Sequence, residues 1–80
     1  MFEFQEGQTY EAVQFFTEHE EKIVIAKRTP KTLLLTLKGD GGRGLCDITL
    51  RTKIRKENEE LGEFVYLKAF DIYCEARDVA

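Results

Sequence analysis

The sequence predicts an all-β domain of about five antiparallel strands in meander order, closing into a small SH3-like barrel. Three observations predict it: a period-two alternation of apolar and polar residues over 45–55, a second alternation over 32–38, and turn-forming residues on either side of both. Successive side chains of a strand point to opposite faces, so such alternation gives one dry face and one wet face. Five short strands with one dry face each must close on one another, and a small barrel does this without leaving long edges exposed.

The elements follow in chain order. Gly7 marks a turn, and residues 9–16 form an aromatic-rich strand with Tyr10, Ala12 and Phe16 opposite Val13 and Phe15. Residues 21–28 hold Ile23-Val24-Ile25-Ala26, a β-branched run too short for a helix. Thr29-Pro30-Lys31-Thr32 suits a type I turn, because the proline ring pre-sets φ at the second position. The next strand, 32–38, turns Leu33, Leu35 and Leu37 inward, while Leu34 falls among polar neighbours at an edge or contact. Four glycines within 39–44 then allow a loop that closes a second hairpin. Residues 45–55 place Cys46, Ile48, Leu50, Thr52 and Ile54 on the dry face against Asp47, Thr49, Arg51, Lys53 and Arg55. The last strand, 63–76, alternates through Val65, Leu67 and Ala69, then changes phase to Phe70, Ile72, Cys74 and Ala76, which calls for a bulge near Lys68 and Ala69. A short C-terminal helix is the alternative, since Ala69, Ile72, Tyr73, Ala76 and Val79 also fall at helical spacing.

Eighty residues make one domain, 1–80, and the 42% apolar and 34% charged content is that of an ordinary globular chain. The uninterrupted apolar runs are far short of the roughly 18 residues that cross a bilayer. Acids stand within residues 1–6 where a signal peptide needs bases, so the cytoplasm is the expected compartment. Cys46 and Cys74 are too few for a zinc site or a disulfide framework, and both read as small buried apolar groups.

Charge is unevenly distributed. Residues 1–26 carry one base against six acids, residues 27–56 nine bases against two acids, and residues 57–80 two bases against seven, giving −5, +7 and −5. Lys27, Arg28, Lys31, Arg43, Arg51, Lys53 and Arg55 are the candidate binding residues of the basic block, for phosphates or for a protein partner. The competing structural reading pairs that block with the acidic ends, Glu57, Glu59, Glu60 and Glu63 above all. The overall charge of −3, and aromatic residues that do not interleave with the basic ones, place nucleic acid second to protein. Opposite charges can also meet between copies, giving a homodimer.

Chemistry-bearing motifs are few. His19 lacks the second histidine of a metalloprotease helix, and the glycine loop lacks the Lys-Ser/Thr ending of a phosphate-binding loop. The sequence therefore predicts a non-enzymatic protein without cofactor or metal. Gly7-Gln8-Thr9-Tyr10, Arg28-Thr29-Pro30-Lys31-Thr32 and the closing pattern of Glu63, Phe64, Ile72 and Ala76 resemble a group of small uncharacterised proteins of phages, plasmids and integrative elements of Gram-positive bacteria. The resemblance spans most of the chain and departs between Phe15 and Lys22. It implies a mobile-element origin and no activity. A phage-borne binding module of this size would suit an inhibitor of a host defence factor.

Overall fold

The computed structural model describes residues 1–39 and 46–80. Among them seven strands form one antiparallel sheet: β1 (Thr9–Gln14), β2 (His19–Arg28), β3 (Thr32–Leu37), β4 (Ile48–Lys53), β5 (Arg55–Lys56), β6 (Glu63–Leu67) and β7 (Ile72–Val79). The sheet order is β4-β3-β2-β1-β7-β6-β5. Its two end strands, β4 and β5, are consecutive in the chain with only Ile54 between them. The sheet therefore curls round on itself, and β4 and β5 act as one bent strand that pairs with β3 at one end and β6 at the other. This is the expected all-β barrel in meander order, nearly closed.

The strand count rises from five to seven for two local reasons. Residues 63–76 do not run on through a bulge; they turn over at Lys68–Asp71, where Phe70 N donates to Leu67 O at 3.0 Å and Asp71 adopts φ 55°. The stretch then returns as β7, so the alternative of a C-terminal helix is replaced by a strand. The long run over 45–55 is divided at Ile54: its amide still donates to Lys31 O at 2.8 Å in the β3–β4 register, and from Arg55 onward the chain pairs with β6 instead. β1 is shorter than expected, ending at Gln14, and Phe15 and Phe16 belong to the turn that follows. Both central hairpins form. Thr29 closes the first, its amide donating to Thr32 O and its hydroxyl accepting the Thr32 amide at 3.0 Å.

Inside the barrel Ile23, Ile25, Leu33, Leu35 and Val65 are fully buried. One mouth is plugged by the N-terminal segment. Phe4 enters the core edge-on to Tyr10, their ring centroids 4.9 Å apart, and the Tyr10 hydroxyl accepts the Gln5 amide at 2.7 Å. Gly62 lets this segment pass: a Cβ there would lie 2.5 Å from Phe2 O, and its φ of +73° favours glycine in any case.

A buried ion pair fixes the plug to the wall. Glu63 Oε1 accepts from Phe4 N at 2.9 Å and from Arg28 Nη1 at 2.7 Å, Oε2 accepts from Arg28 Nη2 at 2.9 Å, and Nη1 also donates to Phe4 O at 2.8 Å. Burial pushes the Glu63 carboxyl up, but the Arg28 fork and the Phe4 amide together hold it below the usual carboxylate range. A carboxyl lowered in the folded state contributes stability that is present above its unfolded pKa and lost as pH falls through its folded one. The urea midpoint is therefore expected to be level above about pH 5 and to fall below about pH 4. Glu63→Gln should shallow that fall, leaving the part due to Asp47, which Lys38 and the Gly39 amide lower from the surface. Denaturation at a series of pH values checks this, and an unaltered acid limb in the variant would contradict it.

Candidate interaction surfaces

The strand registers assign each outward residue to a row across the barrel. On the β2–β3–β4 side, Lys27 stands opposite Leu34, and Leu34 opposite Arg51. Thr32 stands opposite Lys53 in the next outward row, and Lys31 lies in the adjoining turn. Leu34, half-buried among polar neighbours, is thus an apolar strip between two cations. Among the described residues, Lys27, Lys31, Arg51, Lys53 and Arg55 enter no ion pair. The fold brings Lys27, Lys31, Arg51 and Lys53 together and sets Arg55 round the corner on β5, opposite Phe64.

Two members of the candidate set stand apart. Arg28 turns inward to Glu63, because a bulge at Ala26 shifts the β2 register between Ile25 and Lys27 and reverses the phase of the strand. Arg43 lies outside the described residues. Of the acids expected to pair with the basic block, Glu63 does so; Glu57, Glu59 and Glu60 are exposed and, among the described residues, form no ion pair. Charges on β4 and β5, the end strands of the sheet, also oppose edge-to-edge pairing with other chains.

The opposite side carries an aromatic ledge that periodicity did not reveal. Tyr66 and Tyr73 are cross-strand partners on the outer face of β6 and β7, and Phe15 stacks on Tyr73 with centroids 5.5 Å apart and planes at 27°. Phe64 supports Tyr73 from beside, also at 5.5 Å. Phe15 is 52% exposed, and Phe16, next to it in the same turn, stands 90% exposed in solvent. Asp71 organises the group: its carbonyl accepts the Phe15 amide at 3.0 Å, Oδ2 accepts the Phe16 amide at 3.0 Å, and Oδ1 accepts the Tyr66 hydroxyl at 2.7 Å. The Tyr73 hydroxyl donates to Glu75 Oε1 at 2.7 Å. These bonds keep both phenols protonated, Asp71 raising Tyr66, and burial followed by Glu75 pushing Tyr73 up to about 12. Glu75 Oε2 is buried without a hydrogen bond of good geometry, though Arg77 Nε approaches it as an ion-pair partner.

Comparison with family models, with curated proteins and with solved structures finds no match for this chain. Its surfaces are therefore interpreted from their own chemistry.

A third feature lies at the barrel mouth opposite the Phe4 plug. A half-open cleft of about 360 Å³ is lined, among the described residues, chiefly by Leu37, Cys46, Ile48, Phe70 and Ile72. Its polar neighbours are committed elsewhere: Gln14 Nε2 donates to Phe70 O at 3.0 Å, and Lys38 Nζ bonds Asp47 Oδ2 at 2.8 Å. Small-molecule sites combine apolar walls with convergent free polar groups, and among the described residues Glu21 alone does not supply them. Among the described residues no group of His, Cys, Asp and Glu is placed to hold a metal ion.

Cys46 is exposed, which corrects its assignment to the dry face: β4 begins only at Ile48, so Cys46 precedes the ladder. Cys74 is buried as expected, and burial pushes its thiol up to about 12. A thiol reagent at neutral pH is expected to modify Cys46 within the native protein and Cys74 only on unfolding. Mass spectrometry of tryptic peptides after pulse labelling checks this; equal labelling would contradict the assigned burial.

Proposed function

We propose that the chain is a non-enzymatic protein-binding module whose contact surface is the aromatic ledge. The observation that carries this reading is the pair Phe15 and Phe16, held out of the core beside Tyr66 and Tyr73 by hydrogen bonds to Asp71. A lone exposed apolar residue needs no explanation, but a half-exposed phenylalanine packed on two tyrosines, with a second phenylalanine open to solvent next to it in the chain, does. Burying one phenylalanine side chain is favourable by about 1.5–3 kcal/mol, and tyrosine and phenylalanine are enriched at interface cores. The half-buried Asp71 carboxylate at one end of the Val13–Tyr73–Tyr66 row and the exposed Glu20 at the other provide the polar rim that such interfaces carry. Free thiols at Cys46 and Cys74 fit a reducing compartment, which supports the cytoplasm. An inhibitor that covers the nucleic-acid channel of a host nuclease with this acid-rimmed surface is the form the reading takes if the gene is mobile. Affinity capture with the wild-type chain and with Phe15→Ser plus Phe16→Ser tests the module. A protein retained by the first and lost from the second is expected; an identical set from both would overturn the reading.

A second reading rests on Lys27, Arg51 and Lys53, in two adjacent outward rows, which enter no ion pair among the described residues. If these cations, with Lys31 in the adjoining turn, neutralise three or four phosphates, the logarithm of affinity for duplex DNA should fall with the logarithm of salt at a slope of about −2.7 to −3.6. Gel shifts with Arg51→Glu plus Lys53→Glu as control measure that slope, and no shift at low salt would end this reading.

A further inference from the structure

The two surfaces described above complement each other, and both are present on every molecule. We propose that the occupant of the aromatic ledge is the basic face of a second copy of this chain, so that the protein assembles head to tail; this rests on the ledge being a protein-binding surface.

With β4 and β5 sharing one position, the barrel has six positions round its circumference, and β3 and β7 lie three apart, across the barrel from each other. The basic face centres on β3 and the ledge on β7. One molecule cannot bring them together, but two can.

Their chemistry matches from centre to rim. The basic face has Leu34 at its centre, flanked across strands by Lys27 and Arg51, with Lys53 in the next outward row. The ledge has Tyr73 at its centre under Phe15, in an outward row that runs Glu20, Val13, Tyr73, Tyr66 and ends at the Asp71 carboxylate on the Tyr66 hydroxyl. Neighbouring strands are about 4.8 Å apart, so Lys27 and Arg51 are anchored roughly 10 Å apart and Glu20 and Tyr66 roughly 14 Å apart. Flexible lysine and arginine stems cover that difference. Placing Leu34 against Phe15 and Tyr73 buries apolar surface, sets one cation toward Glu20 and the other toward Asp71, and offers the guanidinium a ring face.

Because each copy presents one face to one neighbour and the other face to the next, the contact is heterologous. Such contacts grow into chains unless the rotation closes a ring. Salt weakens them, since the charges sit at an exposed rim.

Sedimentation velocity of the full chain over a concentration series tests the proposal. At low salt the wild-type protein should sediment faster as concentration rises and should pass beyond the dimer. At about 1 M salt, where screening reaches ~3 Å, it should return to monomer. Arg51→Glu plus Lys53→Glu removes one face and Phe15→Ser plus Phe16→Ser removes the other; each should weaken self-association by at least about ten-fold. Mixing the two variants should then give a one-to-one dimer that grows no further, because one keeps its ledge and the other its basic face. Circular dichroism confirms that both remain folded, with single Phe16→Ser and Arg51→Glu variants in reserve. A wild-type chain that stays monomeric at low salt and at every concentration overturns the proposal, as does failure of the mixed variants to pair. The proposed function would survive either outcome if capture of a different protein still depended on Phe15 and Phe16, and would fall separately if it did not.

Discussion

Arg28→Met is expected to destabilise the barrel by about 3 kcal/mol, the lower end of the cost of removing one partner of a buried ion pair. The lower end applies because the Arg28 side chain is itself 22% exposed, whereas that of Glu63 is 4% exposed. The loss comes from what remains behind. Without Arg28 the Glu63 carboxylate is left with one donor, the Phe4 amide, in a site that burial already disfavours. Glu63→Gln should cost less, about 1–2 kcal/mol, since glutamine can still accept from Phe4 N and Arg28 can turn toward water. Arg28→Lys should recover only part of the loss, because an ammonium cannot make the two-pronged contact. A domain of this length has a total stability of roughly 4–12 kcal/mol. A loss of 3 kcal/mol should lower the urea midpoint by roughly 2–3 M. The order of the three variants is the informative result. If Glu63→Gln proved worse than Arg28→Met, the buried carboxylate would not be the member that needs its partner.

Phe4→Ala is expected to be the most damaging single truncation outside the strands, at about 3–5 kcal/mol. The ring is fully buried and fills one mouth of the barrel against Tyr10, and its removal leaves a cavity that no strand can move in to fill. It also weakens the hold of residues 1–8, which bond the barrel wall through Glu63 N to Phe2 O at 2.9 Å and Gly7 N to Ile25 O at 2.7 Å. Urea denaturation of the variant measures the effect. A change below about 1 kcal/mol would mean that the N-terminal segment lies on the core without being part of it.

How much of this was legible in the sequence differs by element. β3 and β4 announce themselves through Leu33, Leu35 and Leu37 and through Leu50 and Thr52, because period two is a property of the strand alone. The Thr29–Thr32 turn is equally local, since proline and the threonine hydroxyl act on their own backbone. The Phe4 plug is not local. Phe4 and Glu63 are 59 residues apart, and one buried side chain in an irregular segment creates no period. The β6–β7 turn contains neither glycine nor proline, and the position needing positive φ is filled by Asp71, a residue type that tolerates it; in the turn after β1 Glu18 takes positive φ without that advantage. Strand-forming aromatics therefore hid both turns, and with them the ledge that Phe15, Phe16 and Asp71 build there. For the basic block the sequence showed the charges but not the phase. The Ala26 bulge decides that Lys27 faces water and Arg28 the core, and a bulge depends on the partner strand.

The most direct measurement of the ledge's role is photo-crosslinking from position 16. A photoreactive phenylalanine analogue replacing Phe16 should fit without strain, since the native ring is 90% exposed. Irradiation in cell extract is expected to give covalent adducts that protease digests and nuclease leaves intact. Adducts that nuclease shortens, or none at all from position 16, would contradict a protein-binding ledge.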